Sequence, residues 1–321
     1  LSDAPYLAGP PDAPEGGRAV WLRAADGVRI RAVYWPRGTR GTVVMLPGRT
    51  EHAEKYVCAA AGFAAHGYAA AAIDWRGQGL ADRALRDRLK GHVGDFAEYQ
   101  RDLDAFLAGI AAAGLPRPWF LLGHSMGGAI GLRALVRGLP FAAAVFSAPM
   151  WGIVVPGGLT GLVTRAARAI ASLGFADRYV PPPLATGPVC YAASAPFEGN
   201  TLTSDAEGFA WMKAQLLATP DLQVGGPTFG WLAAALAECR ALAGLPSPSV
   251  PCLTTLGTRE RVVDQAAVRA RMARWPGGRL LAIEGAEHEV LMERPAIRDG
   301  FVEAAAAHLA ATAARADPRT K

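Results

Sequence analysis

Short apolar runs alternate with helix-length segments along this chain, and the alternation breaks once, over residues 149–248, before it resumes. The runs Thr42–Leu46, Ala69–Ile73, Trp119–Leu122 and Ala143–Phe146 have the length of buried strands. Between them lie Ala53–His66, Phe96–Ala113 and Gly127–Gly138, each long enough for a helix. Strand–helix units in series predict a mostly parallel central sheet flanked by helices, an α/β fold. Two earlier runs, Ala19–Arg23 and Val28–Tyr34, flank Asp26-Gly27 and read as a hairpin. After Pro251 come the strand Cys252–Leu256, a helix over Val262–Trp275, the strand Arg279–Ile283 and an Ala-rich helix from Ala296. The interruption carries Gly/Pro clusters and the helix-like stretches Leu159–Leu173, Asp205–Ala218 and Phe229–Leu242. The expectation is an α/β core over 19–148 and 249–321, a helical insertion at 149–248, and a loose N-terminal segment at 1–18.

Composition removes several classes. With 51% hydrophobic residues the chain can bury a core, so disorder is excluded for the whole. No stretch reaches the ~18 uninterrupted apolar residues of a membrane helix; Ala59–Ala72 is broken by Gly62, His66 and Gly67. Lys and Arg number 33 against 28 acids, a net charge of +5. These charges sit beside acids, as in Asp82-Arg83 and Asp87-Arg88, so no nucleic-acid footprint is expected. The small excess suits weak peripheral contact with an anionic membrane. Cys58, Cys190, Cys239 and Cys252 form no C-x-x-C pair and read as small buried hydrophobes, with no disulfide framework and no metal cluster. Leu1–Gly17 lacks the apolar run of a secretory signal, and a cytoplasmic location is the expectation.

The chemistry centres on Gly123-His124-Ser125-Met126-Gly127-Gly128. A G-x-S-x-G match alone is weak. Here a buried strand, Trp119–Leu122, enters it and a helix, Ala129–Val136, leaves it, which is the setting of a nucleophile elbow. In so tight a turn, side chains in place of the flanking glycines would strike the neighbouring backbone. A serine hydroxyl needs an adjacent base, and the elbow places the acid and then the histidine later in the chain. Of the histidines after Ser125, His308 lies in the Ala-rich terminal helix, whereas His288 follows the strand ending at Ile283. Loops at the carboxyl ends of strands are where open α/β sheets carry their chemistry, so His288 is the candidate base. Two acids follow Cys252–Leu256. Glu260 lies in the turn itself and is preferred; Asp264 is the alternative, and a helix dipole would equally explain it. For an oxyanion hole the candidates are the backbone N–H groups of Met126 and of Arg49, in the loop Pro47–His52. Such a relay calls for no metal and no organic cofactor.

These residues resemble the α/β-hydrolases and, within them, the lysophospholipase/monoacylglycerol-lipase branch. The likeness runs from about Trp21 and includes Pro47–Tyr56, Asp74-Trp75-Arg76-Gly77-Gln78-Gly79, the elbow, and Glu284–Pro295. In the insertion, Leu202-Thr203-Ser204-Asp205 and Gly225–Leu232 are similar to bacterial lysophospholipases of the L2 type. Relatives usually carry His where this chain has Pro47, and Asp where it has Glu260. The resemblance implies an α/β-hydrolase fold whose insertion, following the sixth strand, forms a helical cap over the serine. It implies a serine esterase acting on a single-chain acyl ester, above all a lysophospholipid. A monoacylglycerol lipase, a short-chain carboxylesterase and a non-catalytic ligand-binding protein are the alternatives. Trp151, Trp211, Phe229 and Trp231 are the candidate substrate-binding aromatics of the cap. Arg49 and Lys55 are candidates for a phosphate headgroup, and Arg76 for structural hydrogen bonds.

Overall fold

The two-residue period of the central strands divides the apolar side chains between two cores. In a computed structural model, which describes residues 2–7, 9 and 16–316, Thr42–Leu46 forms strand β4 and is buried along its whole length. Val44 and Leu46 join one apolar cluster, while Val43 and Met45 join the other. Before β4 come β1 (Ser2–Asp3), β2 (Arg18–Arg23) and β3 (Arg29–Trp35). After it come β5 (Ala69–Asp74), β6 (Trp119–His124), β7 (Phe141–Ser147), β8 (Cys252–Gly257) and β9 (Arg279–Ile283). Among the described residues they form one sheet in the order β1-β2-β3-β5-β4-β6-β7-β8-β9. The pairs β1–β2, β2–β3 and β3–β5 are antiparallel, and the rest are parallel.

The helices are α1 (Val57–Ala65), α2 (Ala97–Ala112), α3 (Met126–Val136), α4 (Thr160–Ile170), α5 (Tyr191–Ser194), α6 (Ala206–Ala218), α7 (Phe229–Gly244), α8 (Gln265–Met272) and α9 (Pro295–Ala316). Helices α1 and α9 share one core through Phe63, Phe301 and Leu309. Phe106 of α2, Ile130 of α3 and Val268 of α8 share the other. Burying each such side chain contributes about 1.5–3 kcal/mol. Gly62 lets α1 approach α9, since a Cβ there would lie 2.9 Å from Cγ1 of Val302.

The N-terminal segment is not wholly loose. Ser2 and Asp3 pair with Trp21 and Val20, and Arg18 already belongs to β2. Leu7 donates its N–H to Glu54, and the carbonyl of Pro5 accepts from Arg31. Leu1, Ala8 and residues 10–15 lie outside the described residues. Helices α4 to α7 all fall between β7 and β8, after the sixth strand once the two-residue β1 is set aside. They carry small cores of their own, one around Phe209 and Met212, another around Ala167, Val180 and Leu236.

Candidate active site

Strand β6 ends at His124 and α3 begins at Met126, so Ser125 alone makes the turn. Its φ of 49° and ψ of −119° are unfavourable for a residue with a Cβ, at a cost of about 1–3 kcal/mol. Hydrogen bonds hold the turn: Ser125 N–H donates to Ser147, and its carbonyl accepts from Gly128 and Met150, both at 2.8 Å. The flanking glycines are required by space. A Cβ on Gly127 would lie 1.9 Å from the Leu46 carbonyl oxygen, and one on Gly128 2.5 Å from Cβ of Pro149.

Nε2 of His288 lies 3.0 Å from Oγ of Ser125, and Nδ1 lies 2.7 Å from Oε2 of Glu260. The other oxygen of Glu260 accepts from the N–H groups of Val262 and Val263. Burial pushes the Glu260 carboxyl up, but the His288 hydrogen bond and charge, together with these two amides, hold it below its ordinary value. Asp264 does not join the relay. It is the N-cap of α8, accepting from Ala266 and Ala267, the role a short acid favours at a helix start. Contacts from the insertion fix the histidine loop: His288 and Glu289 donate their N–H groups to Thr201 and Leu202. Buried Glu293 accepts from Ser204 and from Glu287 N–H.

The loop before α1 is stapled from below. Trp75 Nε1 donates to the Pro47 carbonyl, and Gln78 Nε2 donates to the carbonyls of Gly48 and Glu51. Gly48 N–H donates to the Glu51 carboxylate and Thr50 N–H to Gln78. Among the described residues, neither Arg49 N–H nor Met126 N–H donates to another protein group. An oxyanion hole needs two such unengaged donors. Trp75, Gln78 and Glu51 thus hold the loop that begins at Pro47.

Under the loop, Lys55 is buried between Glu51 and Glu289, 2.7 Å from each. Burial disfavours its charge, but the two carboxylates outweigh it and raise the Lys55 pKa. Lys55 is therefore spent on structure rather than exposed at a mouth. Arg76 likewise binds Asp26, Glu98 and Asp102. Burial holds the His124 pKa down to about 4, so its imidazole is neutral near pH 7; Nδ1 faces the Ser147 carbonyl at 3.0 Å.

Ser125 and His288 open on a cavity of about 250 Å³ with Arg49, Met150, Ile153, Leu202, Trp231, Val262 and Val263 in its walls. Of the four aromatics singled out in the insertion, only Trp231 lines it. Trp151 packs in the main core beside Phe146 and Trp275, donating Nε1–H to the Gly128 carbonyl. Trp211 packs on the α5–α6 cluster and Phe229 on the α4–α7 cluster. Packing consumes these aromatics, in the main core for Trp151 and within the insertion for Trp211 and Phe229. A larger open hollow, about 950 Å³ beside Trp21 and Arg88, contains none of the relay residues. Sequence reasoning missed Gln78 and Glu51, although both lie in quoted segments. It also missed Met150, Ile153 and Val263, whose approach to the serine depends on loop paths.

Residues 37–295 match the family profile described as serine aminopeptidase, S33. Lysophospholipase L2 of Escherichia coli (strain K12) is 35% identical over 282 residues, covering 84% of this chain and 79% of that protein. A monoacylglycerol lipase of Mycolicibacterium smegmatis is 42% identical over 107 residues, 32% of this chain and 36% of that protein. Among solved structures, a soluble variant of monoglyceride lipase from Saccharomyces cerevisiae, in complex with a substrate analog, superposes with a TM-score of 0.72 at 19% identity. That match covers 96% of this chain and 99% of that one, and it shows the α/β-hydrolase fold.

Proposed function

The chain belongs to the serine aminopeptidase S33 family of hydrolases (Hydrolase_4), and from that premise we propose that it hydrolyses lysophospholipids through an acyl-enzyme on Ser125. The observation that carries this reading is the relay Ser125–His288–Glu260 opening on a mainly apolar cavity. Ser125 Oγ attacks the ester carbonyl as Nε2 of His288 takes its proton. The N–H groups of Arg49 and Met126 receive the oxyanion. His288 then returns the proton to the departing glycerol oxygen, and the acyl group stays on Ser125. Water, deprotonated by His288, attacks the acyl-enzyme and releases the fatty acid. Glu260 holds the imidazole in the tautomer that leaves Nε2 free to accept, and stabilises the imidazolium. The lysophospholipid substrate is supported by the Escherichia coli relative; the Mycolicibacterium smegmatis relative supports monoacylglycerol as a second reading.

The test is fatty-acid release from lysophosphatidylcholine and monoacylglycerol carrying the same acyl chain. Release from the lysophospholipid is the expected result. Activity on monoacylglycerol alone would transfer the proposal to the second reading. A cavity of about 250 Å³ lies below the ~300–1,000 Å³ usual for ligand sites. The acyl chain therefore has to continue along the insertion 149–248, which acts as the cap. Each buried methylene is worth about 0.8 kcal/mol, so kcat/KM should rise steeply from butyryl to longer acyl groups. A flat profile would remove the cap from acyl recognition.

Peripheral membrane contact belongs to the same proposal. Val154, Leu159, Leu162, Leu173 and Phe175 are exposed on the insertion, next to exposed Arg165 and Arg168. Apolar side chains flanked by arginines suit an anionic lipid surface. Replacing Leu162 and Leu173 by serine is expected to reduce co-sedimentation with phosphatidylglycerol vesicles several-fold; unchanged binding would discard this face. Among the described residues no helix is long and apolar enough to cross a membrane.

A further inference from the structure

Three buried cations of this fold, Arg31, Arg76 and Lys55, have carboxylates in direct contact. Arg31 binds Asp74 and Glu54, Arg76 binds three acids, and Lys55 binds two. Arg49 differs. It lines the cavity that holds Ser125 and His288, its guanidinium packs on Trp231 of the same lining, and among the described residues no carboxylate lies within ion-pair distance of it. One N–H of Nη2 donates to the Gly225 carbonyl at 2.9 Å, and the guanidinium lies over the Trp231 ring, 4.9 Å from its centroid. Nε is sealed from solvent without an acceptor. Trp231 is itself held, by a hydrogen bond from Nε1 to Tyr99. Burial pulls the guanidinium pKa down to about 10, with only Tyr99, Cys190 and Tyr179 acting against it. The group remains charged at neutral pH, oriented by a ring and a carbonyl, and without a counter-ion.

We propose that the Arg49 guanidinium recognises the phosphate of the substrate headgroup and so selects phosphate-bearing esters over neutral ones. In a lysophospholipid only the glycerol backbone separates the acyl ester from the phosphate. A cation that reads the phosphate must therefore share the nucleophile's cavity without touching the reacting carbon. Arg49 meets both demands: it lines the cavity of Ser125, and its guanidinium lies against Trp231 of the same wall while donating to the Gly225 carbonyl. A planar guanidinium with free N–H donors matches phosphate oxygens better than an ammonium does. The two acids in the same cavity, Glu51 and Glu289, each place one oxygen on Lys55. This inference rests on the ester-hydrolase reading and narrows its substrate class.

The test compares wild type with Arg49→Gln and Arg49→Lys in two assays. In the first, the ratio of kcat/KM for lysophosphatidylcholine to that for monoacylglycerol should fall about tenfold or more in Arg49→Gln, mainly through KM, and recover in part in Arg49→Lys. An unchanged ratio, or an equal loss on both substrates from folded protein, overturns the proposal; the latter would make the side chain a prop for the loop. In the second, glycerol 3-phosphate and inorganic phosphate are tested as inhibitors of p-nitrophenyl butyrate hydrolysis. Competitive inhibition by glycerol 3-phosphate that disappears in Arg49→Gln supports a headgroup site. Equal inhibition by inorganic phosphate with an unchanged substrate ratio indicates a free-phosphate site and overturns the headgroup assignment. Should wild type cleave p-nitrophenyl butyrate but neither lipid, the lipid reading fails by itself. The inhibition assay then decides for Arg49: loss of glycerol 3-phosphate inhibition in Arg49→Gln supports phosphate recognition, and inhibition that is absent or unaltered overturns it.

Discussion

Replacing Ser125 by alanine is expected to lower kcat/KM for the acyl ester by about 10⁶-fold, the loss typical when the nucleophile of such a relay is removed. Alanine keeps the Cβ and therefore adds no strain at φ 49°. Gly123, Gly127 and Gly128 still clear the turn, and the bonds from Gly128 and Met150 to the residue 125 carbonyl remain. Only the contact between Oγ and Nε2 of His288 is lost, a change of about 1 kcal/mol in stability. The two readouts should separate: thermal unfolding close to wild type, fatty-acid release near background. What survives should be the small acceleration that binding and the oxyanion donors provide without a nucleophile. Activity within a hundredfold of wild type would mean that another group attacks the ester, and the relay would lose its role.

The central strands were legible because burial on both faces leaves a plain signature, and the edge strand Arg279–Ile283 because it is a short apolar run between turns. Thr42–Leu46 and Arg279–Ile283 match their expected limits, and the other expected strands shift by three residues or fewer at either end. The relay was legible for a related reason: each member follows a recognisable strand, and the sheet order brings those strand ends together. Strands β6 and β8 both pair with β7, and β9 pairs with β8. Ser125, Glu260 and His288 therefore leave neighbouring strand ends. The helix expected over Val262–Trp275 begins only at Gln265, because Glu260 takes the N–H groups of Val262 and Val263 and Asp264 caps the next turn. The insertion was less legible. Its aromatics show that something is buried but not which surface they meet, and three of the four chosen turned to internal packing. Arg49 had the opposite ambiguity: a sequence shows an arginine, but not that its counter-ion is missing.

Replacing Glu260 by glutamine separates the two acids that compete in the sequence. In the variant the amide oxygen can still accept from Val262 and Val263, which leaves the amide NH₂ facing Nδ1 of His288. An NH₂ group can only donate, so it favours the imidazole with its proton on Nε2. That tautomer cannot accept the Ser125 proton, and kcat should fall by about 10⁴-fold with the fold retained. Asp264→Ala should do the reverse. It removes the cap of α8 at a cost of about 1 kcal/mol in stability, while activity stays within a few-fold of wild type. Acid provides a second check. The Glu260 carboxyl is held below its ordinary 4.5 in the folded protein, so its contribution to stability is complete above that pH. It is lost as the pH falls through the lowered folded value. Glutamine carries no such ionisation, so the stability gap between wild type and Glu260→Gln should be widest at neutral pH and close below pH 4.5. A gap that stays constant into acid would mean that Glu260 is not held ionised by His288. A variant at full activity would require another acid to orient the imidazole, and Asp264, already committed to α8, is not placed to supply it.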